Sequence, residues 1–256
     1  MTPRSSICVA VALAFGFAFA WRDPYFMSVY ILVCYYGAMS VGWNVAAGFT
    51  GLVSLGHAMF IGIGAYSVAY ANTAFGLSPF LAAPVGVALA TLAAAAIGTL
   101  CFRYGIRGQY FAICTLAFSE IAFLLVSSSQ PLGRSDGMMM RLLDPAAWHL
   151  QFRGKWPYGL IAAGLLVATL AAAHVLLRSR AGYYWRAIRD NEEAARTLGV
   201  PAFRYKMLAY CFSAIVAATC GAFFATYTSF VDPRSVLGVE LSIQLLVFAI
   251  VGGMRS

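Results

Sequence analysis

The side chains in this sequence that could do chemistry fall in three places. Glu120 stands in the middle of a long apolar run. An ionisable group in such a setting is expensive and marks function by default; the alternative is a protonated, hydrogen-bonded packing residue. A second group, Asn44, Thr50, Ser54 and His57, is interleaved with Gly42, Gly48, Gly51, Gly56, Gly62 and Gly64. Glycines weaken a continuous helix and permit a break. Broken helices at membrane depth persist only where they are buried in protein or line a watery cavity. Asn44, Ser54, His57 and Glu120 are therefore candidates for the lining of a path through the protein. The competing reading is that the glycines allow close packing and His57 is hydrogen-bonded locally. The third place runs from Arg178 to Lys206, where Asp190, Glu192 and Glu193 accompany seven basic residues.

Several chemistries have no support. The phosphate-cradling pattern G-x-x-x-x-G-K-[ST] does not occur, and the only lysines, Lys155 and Lys206, lack its glycine framework. His57, His149 and His174 show no metal-ligand spacing, and no nucleophile–base motif is present. Cys8, Cys34, Cys101, Cys114, Cys211 and Cys220 lie in or beside apolar runs without a C-x-x-C pair, as small buried hydrophobes do. Neither an enzyme nor a bound cofactor or metal is expected.

The elements that must position these residues follow from composition. Of 256 residues, 62% are hydrophobic and 10% are charged, whereas soluble domains carry about 25% charged residues. An exposed remainder of that apolar surface would aggregate in water, so lipid is the natural solvent. In lipid the backbone must satisfy its own hydrogen bonds. The apolar stretches are continuous rather than alternating, which selects helices over a barrel. A crossing takes about 20 residues, and eight segments qualify, at about 5–21, 25–47, 51–72, 79–102, 108–127, 156–177, 206–229 and 240–254. Ala18-Phe19-Ala20 resembles a signal-peptidase site, but only Arg4 precedes the first segment, so a retained helix is expected. With the N-terminus inside, eleven Lys/Arg fall on the cytoplasmic side and six outside, which supports that orientation. The net charge of +8 lies between apolar runs, as loop charges do, so nucleic acid is not an expected partner. The outer loop at about 128–155, with Gly133, Asp136, Gly137, Asp144, Pro145 and Trp148, is expected to be structured, with Trp148 and Trp156 at the headgroups.

Two segments carry ribbons of small residues at four-residue steps: Ala82, Gly86, Ala90, Ala94 and Gly98, and Ser213, Ala217, Gly221 and Ala225. That step keeps them on one helix face, where small residues let helices approach closely in lipid. In the charged loop, Trp185 to Leu198 contains no proline or glycine, so one helix is expected there, stopping at Gly199 before Val200-Pro201. A helix that short is marginal in water and should dock, either onto a partner through Ile188, Ala195 and Leu198 or at the lipid headgroups.

Glu193-Ala194-Ala195, three residues, then Gly199 matches the E-A-A-x-x-x-G pattern of ABC-importer permeases. Arg186-Ala187-Ile188-Arg189-Asp190, Arg204-Tyr205-Lys206, Gly51 to Ala58, Gly62 to Tyr66, Thr115 to Ile121 and Ser135-Asp136-Gly137 resemble the M-type subunit of the branched-chain amino-acid permease family over about 25–256. The resemblance implies an all-α, polytopic transmembrane bundle forming a single permease domain in a bacterial inner membrane. It implies three kinds of partner besides the bilayer: a homologous permease, cytoplasmic ATP-binding subunits and a periplasmic substrate-binding protein. The loop helix would then be the coupling helix, with Arg189, Asp190, Glu193, Ala194, Ala195 and Gly199 contacting an ATPase. The family continues past Gly252-Gly253 with further apolar segments, whereas this chain stops at Met254-Arg255-Ser256, so an incomplete last span is expected.

Overall fold

The computed structural model describes residues 23–141, 150–152 and 154–253, with isolated positions (13, 16–18, 20 and 21) before them. Most of the expected first span at 5–21 lies outside the described residues, as do Arg4, Cys8, Arg22, Asp144, Pro145, Trp148, His149, Arg153 and 254–256.

The long apolar runs form helices, and two of them start by one local rule. Helix α1 (Pro24–Asn44) begins after Asp23, whose carboxylate accepts from Tyr25 N at 2.8 Å. Helix α2 (His57–Phe75) is followed by α3 (Pro79–Arg103), which begins after Ser78, whose hydroxyl accepts from Phe80 N at 3.2 Å. Each pairs a capping oxygen with a proline in the first turn, where the missing N–H costs nothing. Helices α4 (Gln109–Ser128) and α5 (Trp156–Arg178) complete the next two crossings. The charged loop holds α6 (Arg180–Asp190) and α7 (Glu192–Thr197). Helix α8 (Ala202–Thr228) follows, then α9 (Pro233–Leu237) and α10 (Val239–Val251).

Among the described residues, six stretches are long and apolar enough to cross a membrane: Pro24–Phe49, Pro79–Arg103, Gln109–Ser128, Trp156–Arg178, Ala202–Thr228 and Pro233–Val251. Their outward faces carry exposed Val33, Leu92, Leu124, Leu125 and Val175, a surface suited to lipid. Helix α2 is not among the six. It carries His57, Ser67, Asn72 and Thr73 and is sheathed by protein, with twelve of its residues buried.

At the centre α8 packs against α2 and α3. Both small-residue ribbons face inward: Ala82, Gly86, Ala90, Ala94 and Gly98 are buried on α3, and Ser213, Ala217, Gly221 and Ala225 on α8. The α2–α8 contact is closest at one crossing, where a Cβ on Gly64 would strike the Ala218 carbonyl and one on Gly221 the Ile61 carbonyl. Only glycine permits backbones to meet that way, and in lipid such contact replaces a hydrophobic driving force.

At the end away from the charged loop, short 3₁₀ turns at Gln130–Leu132 and Arg134–Asp136 lead into Met138–Met139. This two-residue strand pairs antiparallel with Phe230–Val231, and Asn72 Oδ1 accepts from Arg141 N at 2.8 Å. The described part of this loop is thus ordered by contacts with α2 and the end of α8.

Three expected boundaries are corrected. The segment expected at 51–72 becomes helical only at His57, because Gly51 and Gly56 interrupt it. The last two spans begin earlier than expected, at Ala202 and Pro233. The single loop helix at 185–198 is two helices, parted at Asn191, which is extended (φ −158°, ψ 105°).

Candidate functional site

The charged loop is built as a small folded unit. Asn191 stops α6 and caps α7, its side-chain oxygen accepting from Glu193 N and Ala194 N, both at 3.0 Å. Glu192 and Glu193 then stand in the first turn and Arg196 in the last, as the helix dipole favours. Gly199, in the left-handed region at φ +84°, ends α7. Val200 N donates to Ala195 O and Gly199 N to Arg196 O, both at 3.0 Å, the paired closure of a Schellman turn. Ile188, Ala195 and Ala202 make a buried cluster beneath, with Val200 and Tyr205 against it. Trp185 is fully buried and donates from Nε1 to Tyr205 O at 2.8 Å. The expectation that Ile188 and Ala195 offer an outward apolar patch is therefore corrected: both are consumed in holding α6, α7 and α8 together. Leu198 is the apolar residue left outside, 84% exposed, beside exposed Glu193 and Ala194.

Charges tie this unit to the bundle. Glu192, only 12% exposed, meets Lys206 of α8 at 3.1 Å, Arg196 at 2.6 Å and Arg107, between α3 and α4, at 3.4 Å. The Lys206 side chain is 3% exposed, and its ammonium lies 4.8 Å from the Phe102 ring centre, on α3. Arg107 also reaches the exposed Glu193 at 3.3 Å. Arg189, paired with Asp190 at 3.3 Å, donates to Gly48 O at 2.9 Å.

That carbonyl belongs to the break between α1 and α2. Helix α1 widens into a π turn at Val45–Phe49, a form concentrated at functional sites. Gly51 N donates to Ala47 O and Leu52 N to Ala46 O, each at 3.0 Å, with Gly51 in the left-handed region at φ +76°. The extended stretch to Gly56 then runs alongside other elements that satisfy its backbone. Thr115 of α4 accepts from Leu55 N at 3.1 Å, Ser242 of α10 from Ala58 N at 3.1 Å, and Ser54 Oγ from Gly56 N at 3.3 Å. Trp43 donates through Nε1 to Ser54 O at 3.0 Å. His57, 1% exposed, places Nε2 2.6 Å from Ser213 Oγ, eleven residues into α8, which is about 16 Å along the helix axis from its start. The start of α2 therefore lies deep in the bundle, where Ala58 N is answered by the Ser242 hydroxyl and Met59 N by the Gly56 carbonyl at 3.2 Å, as buried backbone requires.

A family model described as the permease component of a branched-chain amino acid transport system matches residues 25–256. The chain belongs to the branched-chain amino acid transport permease family.

Members of this permease family among curated proteins include the high-affinity branched-chain amino acid transport system permease protein LivM of Escherichia coli strain K12. It is 32% identical over 268 residues, 93% of this chain and 62% of the relative. LivM of Salmonella typhimurium strain LT2 is 32% identical over 245 residues, 86% and 57% of the two chains. The autoinducer 2 import system permease protein LsrC of Enterobacter sp. strain 638 is 29% identical over 168 residues, 66% and 46%. The chain thus spans about three-fifths of the length of the LivM relatives. No solved structure matches it.

For a permease of this family the sequence-derived candidates separate into two groups. Arg189, Asp190, Glu193, Ala194, Ala195 and Gly199 all fall on the α6–α7 unit, where Ala195 is buried and the others reach the surface wholly or partly. Ser54 and His57 lie together in the break. Asn44 does not join them; it borders a cavity against α5 and α6. Glu120, half-buried, is five residues past Thr115 on α4 and has no ion-pair partner among the described residues. Sequence reasoning gave no bonding role to Arg107, Lys206, Thr115, Ser213 or Ser242. Their partners are 14 to 184 residues away in the chain, and no local pattern announces such pairs. Asn191 did carry a local signal, a capping residue directly before two glutamates.

Proposed function

We propose that this chain is the membrane-embedded permease subunit of an ATP-driven importer for branched-chain or related amino acids. The α6–α7 unit docks on a cytoplasmic ATPase, and a retained, crossing segment at 5–21 would put the N-terminus on the same side. A homologous permease completes the path, and a periplasmic binding protein delivers the solute.

One observation carries this reading. The surface formed by Glu193, Ala194 and Leu198 belongs to a unit whose fastenings include one to α8 through Glu192–Lys206 and one to the break through Arg189–Gly48 O. Displacing α7 therefore displaces the inner end of the central helix and the irregular stretch leading to His57. ATP-driven closure of the paired ATPases would move α7, and the helices would pass that movement toward the opposite end. The solute undergoes no chemistry. Ser54 and His57 border the part of the path that opens, and Glu120 stands farther along α4. The apolar character of the surrounding bundle suits an aliphatic side chain, and the names of the LivM relatives support that substrate class.

The decisive experiment coexpresses the chain with its ATPase and homologous permease and compares wild type with Glu193→Arg and Gly199→Val. The first reverses a surface charge; the second forces a β-branched residue into positive φ. Both should release the ATPase and abolish uptake while the membrane part still assembles. Retained ATPase and normal uptake in both variants would refute the docking surface. Uptake that continues without ATP but collapses with an uncoupler would instead show an ion-coupled carrier.

A further inference from the structure

Between α1, α5 and α6 lies a cavity of about 230 Å³ that the coupling reading does not use. Its lining includes apolar residues such as Phe49 and Leu177, together with His174 and the exposed Arg178 and Arg186 at its mouth. No carboxylate lines it among the described residues. Arg186 enters none of the ion pairs among the described residues; its guanidinium instead lies 5.9 Å from the Tyr183 ring centre. On the α1 side, Asn44 Oδ1 is buried without a hydrogen-bond partner.

We infer that this cavity binds the phosphodiester headgroup of an anionic glycerophospholipid. Three features select that ligand. Arg178 is the last residue of α5, so the mouth lies where a span leaves hydrocarbon and phosphates begin. Guanidinium groups match phosphate oxygens in a bidentate fashion, and basic pockets between helices at this level are suited to anionic headgroups. The volume equals that of about eight waters in the liquid. It admits a phosphate with its glycerol, and the apolar wall continues onto the first acyl methylenes. A helix about 10 Å across would not enter. The bound lipid would brace the α5–α6 corner against α1, next to the π turn. This inference does not depend on the transported solute or on the ATPase.

The test places the purified chain in nanodiscs of phosphatidylcholine with phosphatidylglycerol as a minor component and counts retained lipids by native mass spectrometry. Phosphatidylglycerol should be retained preferentially. Arg186→Gln should weaken that preference about five-fold, and Arg178→Gln with Arg186→Gln about thirty-fold, taking each arginine's attraction near an anionic surface as equal. Arg134→Gln, at the opposite end, should leave it unchanged. Arg186 is exposed, so its single variant keeps the fold and reports even if the double variant misfolds. Equal retention of the two lipids, or an Arg186→Gln variant that still prefers phosphatidylglycerol as wild type does, overturns the inference. In zwitterionic discs, inorganic phosphate or glycerol 3-phosphate should not raise the unfolding temperature. If either matches phosphatidylglycerol, the site takes a soluble phosphate and the lipid assignment fails. Unchanged lipid retention with weakened ATPase binding would assign Arg186 to a partner's carboxylate and likewise overturn it.

Discussion

Glu192→Gln should destabilise the protein more than Lys206→Met, although both remove the same ion pair. The Lys206 side chain is 3% exposed, its ion-pair partner is Glu192, and the Phe102 face lies 4.8 Å from its ammonium. Removing the carboxylate charge leaves a buried cation with only that ring. Breaking a buried pair from one side costs about 3–5 kcal/mol, and the ring returns ~1–2 kcal/mol, so a loss of about 2–3 kcal/mol is expected. Lys206→Met leaves the opposite situation. Glu192 keeps Arg196 at 2.6 Å and Arg107 at 3.4 Å. Those arginines are 45% and 40% exposed, so each contributes ~0.5 kcal/mol, and the new thioether packs against Phe102. The expected loss is about 1 kcal/mol. The double variant, with neither charge, should lie close to Lys206→Met, giving a coupling of about 2–3 kcal/mol. Reversible unfolding in mixed micelles, followed by tryptophan fluorescence across the four proteins, measures it. A cycle that closes additively within about 0.5 kcal/mol, or Lys206→Met as the more damaging single change, would refute the buried-pair reasoning.

Two further outcomes follow from the same geometry. Arg189→Ala removes a charged donor from Gly48 O, an interaction worth about 1.5–3 kcal/mol; copurified ATPase should remain while uptake falls, because docking survives and the tie to the break is lost. Gly221→Leu should reduce monodisperse protein in detergent gel filtration, since even a Cβ there meets the Ile61 carbonyl, whereas Leu89→Ala, at an exposed position, should leave the elution profile unchanged.

Most of the architecture was legible because lipid imposes a strong local rule. Any stretch long and apolar enough becomes a helix, so the runs beginning near Pro24, Pro79, Gln109 and Trp156 could be bounded to within a few residues. The ribbons from Ala82 to Gly98 and from Ser213 to Ala225 were legible for a related reason: a four-residue step of small side chains has one geometric consequence on a helix. Glu193-Ala194-Ala195 and Gly199 marked the loop unit through their own caps and turn. The break was only half legible. Gly51 and Gly56 showed that the chain could leave the helix, but not where its freed N–H groups would find acceptors.

Local sequence therefore determined the solvent this protein occupies, its helical stretches and the place where a helix gives way, because each depends on contiguous residues. Tertiary structure alone decided that Thr115 and Ser242 would satisfy the broken backbone, that Lys206 would meet Glu192, and that Arg189 would reach Gly48. A hydroxyl or a charge acts over a few ångströms in space, and its chain position does not reveal which distant group the packing of α8 against α2 and α3 brings within reach.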